Sequence, residues 1–354
     1  MDVDMGQVWQ DYELSGVSEE LDKLFPDYSF DLGFMLEQII TGDIIGALGS
    51  VADGIFAGTG QQLLGMKDVL IWILVAGVAA SVISYFVEVF ESRQIADLSF
   101  YFVYLLLMSV LLRCFQEAAG IAVETVENII SFIKIFVPAY LLSVGVVTGT
   151  TTATAYYGLM LLIIYLIQTF LVSIVVPCIY SYVLLSAING VWIEEKLTMI
   201  VELLEKGIRL MLKLSLGAVT GISLIQSLIT PVIDSAKAST LQKVVSVIPG
   251  IGNVADGVVD VVLGSAVIIK NSIGVVMLIL LLAVCVVPLL KIFIIAAMLK
   301  IAAAFLGIIS DKRITTCADK VGNASALLLR TAGTAMFLFV LTISVAALTT
   351  NRGF

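Results

Sequence analysis

Two aspartates four residues apart, Asp256 and Asp260, stand in an otherwise apolar and glycine-rich stretch, IPGIGNVADGVVDVVLGSAVIIKNSIG over 248–274. On a helix, residues at i and i+4 share a face, and Lys270 and Asn271 follow one short apolar stretch later. Ionisable groups within a membrane are costly and mark ion or substrate paths by default. Two carboxylates and a lysine here would line a hydrated path or hold a cation. The same pattern fits an interfacial amphipathic helix whose aspartates face water. Arg113 and Glu117 are also four apart, and would pair within a bundle or cap a helix at the headgroups. A third candidate is the run Thr148, Thr150, Thr151, Thr152 and Thr154. Thr150 and Thr152 would offer hydroxyls to a passage, or the run is an exposed loop. Gln168 and Gln226 are candidates for hydrogen bonds between helices.

Most enzyme chemistry is excluded. The chain has no histidine, the commonest general base and metal ligand. It has no GxxxxGK[ST], GxSxG or HExxH pattern. Gly250-Ile251-Gly252 opens like a dinucleotide fingerprint, but residue 255 is alanine and no strand context surrounds it. The four cysteines show no CxxC spacing and read as small apolar helix residues. The expectation is a non-enzyme with no catalytic, cofactor or metal site.

The elements that must carry these residues are membrane helices. Of 354 residues 60% are hydrophobic and 13% charged, with a mean hydropathy of +1.10, whereas a soluble domain carries about 25% charged residues. The expected fold is all-α, a polytopic transmembrane helix bundle. Five segments can span a hydrocarbon core of about 30 Å: 69–90, 97–117, 155–176, 272–298 and 325–348. A weaker sixth, 207–230, carries Arg209 and Lys213 in its first turns. The stretches 119–150, 178–190 and 231–267, interrupted by charge, proline or glycine, read as re-entrant or interfacial. That gives about six spans plus two proline- and glycine-broken segments.

Residues 1–68 hold 13 acids against Lys23 and Lys67, so the net charge of −9 belongs to this region. They read as an acidic, extracytoplasmic unit with amphipathic helices, ahead of a transmembrane domain at 69–354. The balance argues against nucleic-acid binding. Lys196, Lys206, Arg209 and Lys213, and then Lys300, Lys312, Arg313 and Lys320, form two basic clusters. The positive-inside rule puts both in the cytoplasm, together with residues 91–97. A repeat is also suggested: Pro138 and Pro177, like Pro249 and Pro288, are 39 apart. A shift of 111 residues superposes unit 97–177 on unit 208–288. Repeats with broken helices are a transporter plan.

Four stretches carry a family resemblance: LFPDYSF (24–30), GAVTGISLIQ (217–226), IPGIGNVADGVVDVVLGSAVIIKNSIGV (248–275) and PLLKIFIIAAMLKIAAAFLGIISDKRI (288–314). From about Leu21 onward the chain resembles the stage III sporulation protein AE family of endospore-forming bacteria. The resemblance implies a part in the channel apparatus that joins mother cell to engulfed forespore and sustains late forespore development. The chain would lie in the mother-cell membrane around the forespore, with other stage III A operon products, the AA ATPase and, indirectly, stage II sporulation protein Q. Homo-oligomers are compatible with this role. No catalytic residues carry over. Family members typically begin with a signal peptide, whereas Met1-Asp2-Val3-Asp4 lacks a basic and apolar leader. Two alternatives stay open: a stand-alone small-solute permease, or a membrane scaffold without a pore.

Overall fold

The computed structural model describes residues 32–41, 43, 46, 49, 71, 75, 78, 82, 93–148, 151–191, 196–245, 252–309 and 312–350. Among them there is no strand, and the fold is the all-α bundle that the composition calls for. An apolar chain that leaves water must satisfy its backbone polar groups internally, and a helix does so within one segment. The helices are α1 (Leu32–Ile40), α2 (Arg93–Thr148), α3 (Thr151–Phe170), α4 (Val176–Val191), α5 (Thr198–Val245), α6 (Gly252–Ile309) and α7 (Lys312–Thr350).

Four helical stretches among the described residues are long and apolar enough to cross a membrane: Phe100–Lys134, Leu162–Val191, Gly274–Ile308 and Lys312–Leu341. They contain or overlap four of the expected spans. The expected span 69–90 lies outside the described residues except for Ile71, Val75, Val78 and Val82, which are helical and exposed. The weaker span 207–230 falls within α5 and is not one of the four. The acidic unit 1–68 also lies largely outside the described residues.

Among the described residues, 119–148 and 178–190 are uninterrupted helix where breaks were expected, whereas 231–267 is divided between two helices, with 246–251 outside the described residues. Residues 119–148 continue α2, and 178–190 belong to α4. Residues 231–245 extend α5, while 252–267 form the start of α6. The reason at 119–134 is packing. Glu124 and Glu127 lie on an exposed face, while Ala118, Ala119, Ala122, Val126 and Ile129 keep the opposite face buried. Pro138 and Pro288 are also taken up inside helices, as membrane helices tolerate when neighbours re-satisfy the backbone. Between α3 and α4, residues Leu171–Val175 form a π-helical turn in which the Val176 N–H bonds to the Leu171 carbonyl. Pro177 follows at once. It has no N–H to donate and its ring crowds the preceding turn, and one wide turn relieves both.

Helix α7 is the hub, contacting α2, α3, α4, α5 and α6. Its buried positions are mostly small: Ala318, Ala324, Ser325, Thr331, Ala332 and Ala335. Lipid tails are as apolar as leucine, so helix association in a membrane rests on close contact, which small residues permit. Phe132 of α2 meets Phe339 of α7 edge-on at 5.8 Å, filling the end of this seam. At the other end, the Tyr104 hydroxyl of α2 donates to the Ala187 carbonyl of α4 at 2.6 Å. The ring lies against Gly190, where an added Cβ would collide with the Tyr104 hydroxyl.

Gly190→Ala is therefore expected to destabilise the bundle. Overpacking costs about 1–3 kcal/mol, against about 1 kcal/mol gained by removing a helical glycine. Thermal unfolding in detergent should show a lower midpoint for this variant. The loss in Tyr104→Phe plus Gly190→Ala should be smaller than the sum of the single losses, because both act on one hydroxyl.

Candidate functional site

Most of the described polar groups that meet across helices gather at one end of the bundle. This end holds the start of α2, the end of α4, the start of α5, the end of α6 and the start of α7. Arg313 of α7 sits over the Phe100 ring of α2 at 3.7 Å, and Asn189 joins α4 to the start of α5. The Asn189 side chain accepts from the Leu197 N–H at 2.8 Å and donates to Thr198 Oγ1 at 3.0 Å.

Glu205 of α5 is the centre of the cluster, its side chain 16% exposed. Arg209, one turn along, donates to Glu205 Oε1 through Nε at 3.2 Å and Nη2 at 2.7 Å. Tyr182 of α4 donates its hydroxyl to Glu205 Oε2 at 3.1 Å, and Lys320 of α7 lies 3.6 Å from that oxygen. Beside it, Lys300 of α6 pairs with Asp319 of α7 at 2.5 Å, and Asn323 donates to the other Asp319 oxygen at 3.2 Å. Four helices are thus tied by two carboxylates. Burial by itself would raise the Glu205 pKa. The hydrogen bonds from Arg209 and Tyr182, and the charge of Lys320, outweigh it and hold the carboxyl below its ordinary range.

This arrangement joins the two basic clusters: Arg209 from the first and Lys320 from the second share one carboxylate. Residues of both clusters thus meet at one end of the bundle. Glu205, Tyr182 and Asp319 were not singled out in the sequence. The i,i+4 pair of Glu205 with Arg209 is a readable signal, but the Tyr182 and Lys320 contacts depend on how α4 and α7 dock.

The sequence candidates are placed differently. Arg113 and Glu117 are exposed on α2, and no ion pair joins them among the described residues. Asp256, Asp260, Lys270 and Asn271 fall on the α6 backbone, and Thr152 on that of α3, with side chains outside the described residues. Thr150 lies wholly outside them, as does the Gln226 side chain. Gln168 is fully buried and donates to the Ala335 carbonyl of α7 at 3.3 Å. Its Oε1 has no partner among the described residues. Cys114, Cys285 and Cys317 are buried free thiols, and Cys178 is half-buried. Among the described residues no three histidine, cysteine, aspartate or glutamate side chains converge as a metal site would need. The geometry is that of a structural and electrostatic junction.

Residues 30–350 match the sequence profile described as stage III sporulation protein AE. The chain belongs to the stage III sporulation protein AE family. The stage III sporulation protein AE of Bacillus subtilis (strain 168) is 22% identical over 257 residues, covering 72% of this chain and 64% of that relative. The match therefore spans a little under two thirds of the relative's length. No solved structure matches the chain. The family gives the protein a sporulation role, and it is a membrane-protein family, not a known enzyme family.

Glu205→Gln removes the charge that Arg209 and Lys320 share, and should cost about 1–2 kcal/mol at neutral pH. The pH dependence has a definite sign. A carboxyl with a lowered folded-state pKa stabilises the fold above its unfolded pKa, and this stability is lost as pH falls through the folded value. Thermal midpoints of wild type and Glu205→Gln should therefore differ at pH 7 and converge below the ordinary carboxylate value of about 4.3.

Proposed function

We propose that this chain is a non-enzymatic, multi-pass component of the membrane apparatus that links mother cell and forespore. It would sit in the mother-cell membrane around the forespore, forming or lining a transport path. The observation that carries this reading is the family match over 30–350 on a bundle with four membrane-length apolar helices. The outer surface supports it. Phe102, Leu105, Leu106, Leu166, Leu184 and Phe293 are all exposed, an apolar surface larger than a water-soluble monomer normally shows.

The side assigned to the cytoplasm is the end holding Glu205, Lys300, Arg313 and Lys320, because lysine and arginine are retained there on insertion. That end presents fixed charges to soluble partners, which suits docking of the AA ATPase. Other stage III A membrane proteins, and a second copy of the chain, would meet the apolar flanks, and stage II sporulation protein Q would be engaged indirectly.

The permease reading keeps one specific support, the acids at 256 and 260. The helical backbone there sets the two positions one turn apart. Liposome flux that changes in Asp256→Asn or Asp260→Asn would favour a stand-alone permease.

Affinity purification of the full chain from sporulating cells should bring down other stage III A products, and deletion should block late forespore development. Recovery of the chain alone, with spores formed normally after deletion, would refute the proposal.

A further inference from the structure

A groove of about 710 Å³ opens between α5, α6 and α7, starting beside Arg209. Its walls are mainly apolar: Leu212 and Leu216 from α5, Leu289 from α6, and Leu329 and Phe337 from α7. Three cations also line it, Arg209, Lys213 and Arg330. Arg209 is answered by Glu205, but that carboxylate also serves Tyr182 and Lys320. No carboxylate pairs with Lys213 or Arg330 among the described residues. Lys213 and Arg330 are exposed to the groove side of their helices. Arg330 lies well inside the apolar stretch Lys312–Leu341, where an unanswered charge is costly.

One kind of molecule matches both features. A soluble anion would neutralise the cations but leave the leucine and phenylalanine walls bare. A neutral lipid would cover the walls but leave an excess of positive charge. We propose that this groove binds an acidic phospholipid, its phosphate held by Arg209, Lys213 and Arg330 and an acyl chain along Leu212, Leu216, Leu289 and Phe337. Basic pockets between membrane helices on the cytoplasmic side take acidic headgroups by this combination. Arg209 makes the site continuous with the Glu205 junction, so bound lipid would brace α5 against α7 beside the Lys320–Glu205 contact that already joins them. The inference rests on the reading that the bundle lies in a bilayer.

The test uses the full chain in nanodiscs of phosphatidylcholine doped with phosphatidylglycerol, followed by native mass spectrometry. The wild-type chain should retain one phosphatidylglycerol under activation that strips phosphatidylcholine. Retention should fall about fivefold in Lys213→Gln or Arg330→Gln and about thirtyfold in the double variant. Lys213→Arg with Arg330→Lys should keep it. Leu216→Trp, which obstructs the acyl track and leaves every charge in place, should lose it too, so the test does not depend on the neutralised variants folding. Equal retention of both lipids, retention in Leu216→Trp, displacement by inorganic phosphate, or a dimer that excludes lipid would each overturn the proposal. Failure of the chain to enter nanodiscs would overturn the bilayer reading as well, whereas entry without a retained lipid refutes this inference alone.

Discussion

Close approach to α7 is the constraint on which the other helices depend. Most of its buried positions are small residues, alanine, serine, threonine, glycine and cysteine, and Gly322 gives room to the aliphatic chain of Lys300 from α6. Because lipid offers no hydrophobic drive for helix to seek helix, stability comes from the density of these contacts. A central helix of large side chains would hold its neighbours farther apart. Most of the largest fully buried side chains sit on the partners, Tyr104, Phe115 and Phe132 on α2 and Tyr182 on α4, with Phe339 on α7 itself.

The same packing determines where charge can be tolerated. Glu205 and Asp319 are each answered by cations and a neutral donor from neighbouring helices or turns. Such a group is costly when left alone, so the junction is stable only while α4, α5, α6 and α7 remain in register. It acts as a registration device at one end of the bundle. Phe132 against Phe339, and Lys134 over the Tyr165 ring at 5.5 Å, close the other end without a comparable ionic cluster among the described residues. Among the described residues, then, the first end is cross-linked by carboxylates and the second is closed by ring contacts.

Polar groups inside the bundle are used sparingly. The Thr125, Ser186, Ser215, Ser325 and Thr331 hydroxyls donate back to the carbonyl four residues earlier on their own helix. This satisfies the hydroxyl without calling on a neighbour. Asn189 is an exception, and so is Gln168, which reaches Ala335 on α7 while leaving one oxygen unanswered. Among the described residues, most buried side chains thus serve packing.

The amino-acid sequence by itself determined the class of fold, because a chain with 60% hydrophobic and 13% charged residues must satisfy its backbone within helices in an apolar surrounding. Four of the apolar stretches and the family were legible for the same reason: hydropathy and motif are properties of contiguous residues. Helix ends were not. Glu124 and Glu127 in α2 suggested a break, yet the face that matters is the alanine and valine stripe beside them, and only contact with neighbours shows which face is buried. The Glu205 junction was hidden likewise, since its Tyr182, Lys320 and Lys300–Asp319 neighbours come from separate segments that the docking of α4 and α7 onto α5, and of α6 onto α7, brings together. The groove beside Arg209 exists only because α5, α6 and α7 diverge there, and no periodicity along a single chain encodes the space between three helices.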